Sequence, residues 1–568
     1  MIANNQLDIF SRSLSENGHT FFEFKNKEES LVSLQFFHNK GLGLMINDAR
    51  KNGSLIMHTD APVSILCLPS KLRMEADNCP IRQCPVCYHV PAKRAFKSSE
   101  DFAGNDLLCS KECLQWYDHY YSCCGKMLDL IISLKRNGPG DQKNYADSHS
   151  LLLRYLYITT LLQQQPSPSA ANDSMIIQLQ NVFDLFQPTE VNAEVLEQST
   201  WFHRNAAQFA PALFAKLPSQ WVRDGDYFYK LIHVFRYNAQ PLLVQGLQRS
   251  SEILCILPSL ARLNHSCAPN CRLLFQLIKR RSATGPQAAR VRVILQAIRD
   301  IEAGEELTIS YLQSAFHKPA LRQKLLQESF RFSCQCKRCI TETESISKSQ
   351  SQGILEAILH HAESGENVLE EVFSSLPRIL TCCRRLVSEC KDGVCPPGAT
   401  SKQSAAYPYD AHDVALLLLS PAANAGDNAQ RMGALEAAAL RASCAIILCD
   451  CLYLGGVSGC DDHQRYALLG AQSVIQLLAP GRAQLFRPSI AMLCPEGKVE
   501  HLVAQVRSHL NRALIELQLL STVGALDCEG DGKDDSQEGR VDISSDKYYQ
   551  KLLLQGTKLR QQLEEIVK

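Results

Sequence analysis

Three thiols in six residues, Cys334-Gln335-Cys336-Lys337-Arg338-Cys339, restrict this 568-residue chain more than any other stretch of it. Spaced as Cys-x-Cys-x2-Cys, they supply three thiolates, one short of a closed tetrahedral zinc site. A second group lies far upstream. Cys84-Pro85-Val86-Cys87 and Cys109-Ser110-Lys111-Glu112-Cys113 make a Cys-x2-Cys and a Cys-x3-Cys, followed by His119-Tyr120-Tyr121-Ser122-Cys123. A chain with such segments holds irregular backbone on metal rather than on regular hydrogen-bond ladders. It contains 24 cysteines, and their clustering points to metal instead of disulfides. Most of the others sit in apolar helical runs, where a buried thiol is expected. Cys382, Cys383, Cys390 and Cys395 are spaced too irregularly for a metal set and are read the same way.

Charge and hydropathy narrow the partners. Lys plus Arg and Asp plus Glu balance at 59 each, so no basic field marks a nucleic-acid binder, and direct nucleic-acid binding is not expected. The basic run Lys279-Arg280-Arg281 reads as a solvated loop. The opening Met1-Ile2-Ala3-Asn4-Asn5-Gln6 lacks a charged-then-apolar signal pattern. The most apolar runs, Leu151–Leu162 and Ala442–Leu454, are broken by Arg154 and Asp450 and fall short of spanning length. No membrane association is expected, and the chain reads as a monomer of the cytoplasm, the nucleus or both.

Length predicts two or three packed units. Short strands are expected in the first eighty residues, with Leu42–Ile46 and Leu55–Met57 on either side of the turn Lys51-Asn52-Gly53-Ser54. Residues 79–124 read as irregular and 125–235 as helical. A strand over Val291–Ile298 turns at Asp300–Gly304 into a second over Glu306–Tyr311. After Thr341 long helices follow; Leu502, Val506, Leu510, Ala513, Leu514 and Leu517 recur at helical spacing. The acidic, glycine-containing stretch 523–546 is expected to be disordered.

Three further motifs complete the pattern: Lys40-Gly41-Leu42-Gly43-Leu44, Leu263-Asn264-His265-Ser266-Cys267-Ala268-Pro269-Asn270, and Gly304-Glu305-Glu306-Leu307-Thr308-Ile309-Ser310-Tyr311. Alone, the glycine pair is an ordinary turn. Together with the thiol groups, these motifs resemble the SET-domain protein methyltransferases, and the Cys84–Cys123 segment resembles the SET-and-MYND branch of them.

The resemblance implies an α+β chain: a SET-type β-fold split by a zinc finger and a helical insert, followed by an all-α, tetratricopeptide-like C-terminal domain. Its divisions are 1–78 (N-terminal SET part), 79–124 (MYND-like finger), 125–235 (helical insert), 236–313 (SET core), 314–341 (post-SET zinc segment) and 342–568. It implies S-adenosylmethionine and zinc as cofactors. Lys40, Gly41, Leu42, Gly43, Asn238, Asn264, His265, Tyr311 and Phe332 fall where the family contacts the methyl donor, and Tyr311 where it places the catalytic phenol. The glycines would let backbone approach the donor closely, and Phe332 would cover its adenine. His265 would hold the donor by its backbone and not serve as a base. Cys267 would complete the zinc site of Cys334, Cys336 and Cys339, leaving Cys271 buried and spare.

The finger departs from the family. Residues 88–108 contain no cysteine, so the pair that should join His119 and Cys123 is missing. Ligand counting favours one zinc on Cys84, Cys87, Cys109 and Cys113, with Cys79 or His89 as substitutes for a second. The implied activity is methyl transfer to lysine on a protein substrate, histone tail or non-histone. A peptide partner at the finger also follows from the resemblance. The competing reading is a non-catalytic SET and zinc-finger adaptor, which losing Tyr311, Asn264 or the glycines would favour; all are present.

Overall fold

The computed structural model describes residues 31–37, 40–66, 86, 111–137, 145–163, 179, 182, 185, 192–217, 225–244, 251–279, 289–312, 317–344, 358–359, 375–392, 408–423, 434–454, 461–478, 488–522 and 545–567. The first strands are short. β1 (Val32–Phe37) and β2 (Gly41–Ile46) form an antiparallel hairpin with Phe37 opposite Gly41. β3 (Leu55–Asp60) and β4 (Val63–Leu66) follow. The expected turn between β2 and β3 is present: Ser54 donates to the Lys51 carbonyl at 3.0 Å, and Gly53 has φ +83°. The strands it separates nevertheless enter different sheets.

Among the described residues, four helices come next: α1 (Lys111–Asn137), α2 (Ala146–Gln163), α3 (Ala193–Phe209) and the single turn α4 (Pro211–Phe214). α5 (Gly225–Asn238) then leads into β5 (Ala239–Val244) and β6 (Ser251–Ile256). α1 runs across position 124, so its first turns occupy a stretch the sequence reads as irregular. The cause is visible in its buried face, where Trp116, Tyr117, Tyr120 and Cys124 join a core with Tyr157, Phe228 and Phe235. Likewise α5 continues to Asn238, past the expected division at 235.

The central strands are β7 (Asn264–His265), β8 (Cys271–Lys279), β9 (Ala289–Ala297) and β10 (Thr308–Ile309). They give sheets in the orders β3-β9-β8 and β4-β6-β5, and a parallel pair of β7 with β10. Their apolar faces enclose one core containing Leu44, Ile46, Ile56, Val293, Leu295, Leu307 and Ile309, against which Tyr311 packs. Burying such side chains stabilises by ~1.5–3 kcal/mol each.

After β10 come α6 (Pro319–Phe330) and α7 (Lys337–Glu344). A helical domain follows: α8 (Leu376–Asp392), α9 (Tyr409–Ala423), α10 (Ala434–Leu454), α11 (Asp461–Leu478), α12 (Pro488–Leu493), α13 (Val499–Thr522) and α14 (Ser545–Val567). α9 packs on α10, α10 on α11, α11 on α13 and α13 on α14, a stack of neighbouring helices of the expected kind. The periodic residues of α13, Leu502 through Leu517, are all buried. Of the acidic stretch, 523–544 lies outside the described residues, while Ser545 and Asp546 already begin α14. Among the described residues no helix is long and apolar enough to cross a membrane.

Candidate active site and its thiol clamp

Parallel pairing of β7 with β10 threads the 264–270 loop beneath the 304–311 segment. Ser266 N–H donates to the Ile309 carbonyl at 3.0 Å. Asn270, only 1% exposed, then pins the two together. Its Oδ1 accepts from the Thr308 backbone N–H at 2.8 Å, and its Nδ2 donates to the Glu306 carbonyl at 2.7 Å. The expected strand Glu306–Tyr311 shrinks to two residues because its backbone partners come from several directions. Leu307 N–H reaches the Leu44 carbonyl, Thr308 N–H reaches Asn270, and Tyr311 N–H reaches a histidine ring.

That ring is His265, 4% exposed. Its Nδ1 accepts from Tyr311 N–H at 3.0 Å, so its ring proton sits on Nε2, which faces the Cys267 Sγ at 3.2 Å. Both nitrogens are engaged. Burial depresses the imidazole to about 4, opposed by Cys336 and assisted by the Arg322 and Lys40 charges. A neutral, doubly engaged ring thus links Tyr311 to the thiol clamp.

Tyr311 lies beside the loop, as the motif requires. Its hydroxyl donates to the Leu263 carbonyl at 2.6 Å, and its ring packs on Phe330, His265 and Phe332 at centroid distances of 4.8, 5.4 and 6.3 Å. Burial first, and then the Glu306 charge, push the phenol well above its ordinary value, so it stays neutral. With its proton committed to Leu263, the oxygen presents only lone pairs to a ligand.

Glu306 is the hub that motif reading missed. Lys40 Nζ reaches its Oε2 at 2.5 Å and Asn264 Nδ2 its Oε1 at 2.9 Å. A carboxylate accepts only, so it fixes the Asn264 amide with Nδ2 inward, leaving Oδ1 with no donor among the described residues. Gly43 is small for a reason different from the one expected. A Cβ there would stand 2.5 Å from Asn264 Nδ2 and 2.8 Å from the Phe37 ring. Gly41 has open space about it but a φ of +83°, so conformation requires glycine there. Leu42 is half-buried opposite Phe36. Asn238 closes α5, with Nδ2 donating to the Val234 carbonyl in its own helix at 2.8 Å.

The fourth thiol expected of the clamp is in place. One sulfur from each of Cys267, Cys334, Cys336 and Cys339 lies within 4.8 Å of the others, and all four residues are buried. Cys267 Sγ is 3.9 Å from that of Cys334 and 3.5 Å from that of Cys339. A tetrahedron with Zn–S near 2.3 Å has sulfur separations of about 3.8 Å, so the set fits zinc. Contacts among the thiols hold Cys336 far below its ordinary value and drive Cys267 far above. Cys339 is also lowered, to about 7, while Cys334 is raised with Cys267, so four thiolates together need a cation.

Its surroundings also fit a tetrathiolate. α6 ends on Arg331 in the left-handed region (φ +63°), which swings Phe332 toward Tyr311. Gln323 brackets Cys334, accepting from its N–H and donating to its carbonyl at 2.8 Å each. Arg322 and Arg338 are buried beside the sulfurs: Arg322 Nη2 reaches Cys339 Sγ at 3.5 Å and Arg338 Nη1 the Cys267 carbonyl at 3.0 Å. Both bind Glu342, at 2.5 and 2.8 Å, and the hydroxyl of Tyr409 on α9. Two guanidinium charges against one carboxylate leave a positive excess that a doubly negative zinc tetrathiolate offsets. None of these four residues is legible from local spacing.

At the finger, Cys84, Cys87 and Cys109 lie outside the described residues. Cys113, His119 and Cys123 are on α1, with His119 and Cys123 one turn apart on one face. His119 Nδ1 is 2.5 Å from the Tyr157 hydroxyl, leaving Nε2 as the nitrogen a metal could take. Among the described residues no third ligand joins this pair.

Residues 41–312 match the SET domain model. The chain is 27% identical over 314 residues to histone-lysine N-methyltransferase SMYD3 of Mus musculus, covering 54% of this chain and 60% of that one. It is 42% identical over 85 residues to the human SMYD3, covering 15% and 17%. Against SET domain and MYND-type zinc finger protein 6 of Schizosaccharomyces pombe it is 33% identical over 118 residues, 21% of either chain. Over these stretches the chain is similar to SET-and-MYND proteins. Its matched stretches span 60% or less of the length of these relatives.

Proposed function

We propose that this protein methylates lysine side chains of a protein substrate, using S-adenosylmethionine, at the junction of Tyr311 with the 263–267 loop. The observation that carries the proposal is the Tyr311 hydroxyl, anchored on the Leu263 carbonyl beside the Lys40–Glu306–Asn264 relay. When bound, the sulfonium donor supplies an electrophilic methyl group that an amine can attack in line. Asn264 Oδ1 and the 41–43 backbone would hold its amino-acid end, and Phe332 its adenine.

The remaining work falls to positioning. A lysine amine must shed a proton held with a reference value of ~10.4, and a desolvated site near a cation favours the neutral form. That proton leaves for solvent, since His265 has no free nitrogen and Tyr311 stays neutral. The Tyr311 oxygen accepts from the amine N–H or from the polarised methyl, aligning donor and acceptor without adding charge. Zinc on Cys267, Cys334, Cys336 and Cys339 would tie the post-SET segment to the loop and keep water out. The relatives' names motivate a protein substrate, and the described cysteines, none in a disulfide, suit a reducing cytoplasm or nucleus.

The test is label transfer from isotopic S-adenosylmethionine to a protein array. Tyr311→Phe should lower the rate on the order of a hundredfold while cofactor affinity holds, the cost typical of lost alignment. Equal labelling by both proteins would remove Tyr311 from its role, and no labelling by the native protein would favour the adaptor reading.

A further inference from the structure

A second set of metal-type side chains lies in the C-terminal helices, far in sequence from both zinc motifs. Cys449 on α10, His463 on α11 and His509 on α13 each offer one ligand atom, all within 4.8 Å of one another. They are 1%, 0% and 8% exposed. The other nitrogen of each ring is held by a carboxylate. His463 Nδ1 is 3.1 Å from Glu516 Oε2, and His509 Nε2 is 3.5 Å from Asp450 Oδ1. A carboxylate at one nitrogen draws the ring proton there and leaves the other as a lone pair. Those other atoms, His463 Nε2 and His509 Nδ1, are buried with no hydrogen-bond partner. Two lone pairs beside a thiol, each backed by a carboxylate on the far side of its ring, is the arrangement that orients metal-binding histidines.

Small side chains border the trio. Ala467 follows His463 by one turn and Ala513 follows His509 by one turn, and both pack with Cys449 in a small cluster of their own. Larger side chains at either position would fill the space between three helices.

We propose that Cys449, His463 and His509 bind a structural zinc ion that staples α10, α11 and α13. One sulfur and two imidazole nitrogens suit zinc, with Asp450 and Glu516 as the outer partners. Binding deprotonates the Cys449 thiol and releases that proton to solvent. The two positive charges are met by one thiolate and two neighbouring carboxylates. Three protein ligands leave a fourth tetrahedral position, so this zinc should be stripped by chelator sooner than one in the four-thiolate clamp.

Zinc per chain, measured by plasma mass spectrometry on the purified full-length protein, tests the proposal. Cys449→Ser and His509→Ala should each carry one zinc fewer than the native chain. Cys336→Ser should lose a different one, so that Cys336→Ser combined with Cys449→Ser loses two. Equal zinc in the native and Cys449→Ser proteins would overturn the assignment. Should the variants fail to fold, anomalous diffraction at the zinc edge from native crystals decides. A peak enclosed by residues 449, 463 and 509 supports the site, and its absence refutes it.

Discussion

Replacing Glu342 by glutamine should open the post-SET segment without touching any residue assigned to the methyl donor or to zinc. The Glu342 side chain is 5% exposed and those of Arg322 and Arg338 are 0% and 5%. Its carboxylate accepts from both guanidiniums and from the Tyr409 hydroxyl at 2.7 Å. A carboxamide of the same shape loses the charge and turns an N–H donor toward groups that themselves donate. Breaking a buried ion pair on one side costs ~3–5 kcal/mol. The lower end applies, because Arg322 still lies 3.5 Å from Cys339 Sγ and a zinc tetrathiolate would retain part of its compensation. At about 1.4 kcal/mol per decade, ~3 kcal/mol raises the local opening equilibrium on the order of a hundredfold. Hydrogen exchange followed on peptides spanning 331–344 reads that opening directly. A control is Asp300→Asn, whose partner Lys51 is on the surface, and which should leave the same peptides unchanged. Exchange in the Glu342→Gln protein within threefold of native would refute the charge-balance reasoning around the thiols.

Gly43→Ala should weaken S-adenosylmethionine binding by tenfold or more in calorimetry. The new methyl must displace an Asn264 amide that Glu306 holds, and unchanged affinity would show that Asn264 yields freely. Gly41→Ala meets no neighbour but forces an L-residue to φ +83°, so it should cost ~1–2 kcal/mol of stability, read as a lowered Tm. Acid should weaken the helical insert through His149, which is stacked on Trp201 at 4.9 Å and held by burial at about 3. The unfolded chain takes up its proton near ~6.5 and the folded one does not, so this contribution is intact above that pH and is lost as pH falls. From neutral pH down to pH 5 the loss is about 2 kcal/mol. His149→Phe should flatten that part of the Tm-against-pH curve, and an identical acid limb would disprove the assignment.

What could be read from the chain is what depends on neighbours in sequence. The glycine pair, the Asn264–Cys267 loop and the Cys334–Cys339 triplet each present several functional groups within a few residues, so spacing alone suggests their chemistry. The rest depends on pairings across the fold. Glu306 lies inside the Gly304–Tyr311 motif, yet nothing local says that its carboxylate meets Lys40 and Asn264 from two other segments. The regular strand expected over Glu306–Tyr311 gave way because alternating apolar residues also suit a segment whose N–H groups are taken by Asn270 and His265 side chains. Period-two patterning reports burial on one face and is silent about what captures the backbone.

Burial explains the larger omissions as well. Arg322 reads as a surface residue of a charged helix, yet it is fully buried, because Cys339, Glu342, Tyr409 and the His317 carbonyl accept from its two Nη groups in the interior. The network reaches Tyr409 on α9, so the segment that carries the clamp is bolted to the C-terminal domain at its first helices. Cys449, His463 and His509 are separated by 14 and 46 residues and sit on three helices, a spacing no ligand motif would flag. In each of these cases the informative quantity is a charge or lone pair left unmatched inside the protein. Sequence period marks which faces are buried, but only the assembled fold shows which buried polar atoms still want a partner, and there the second cation site is found.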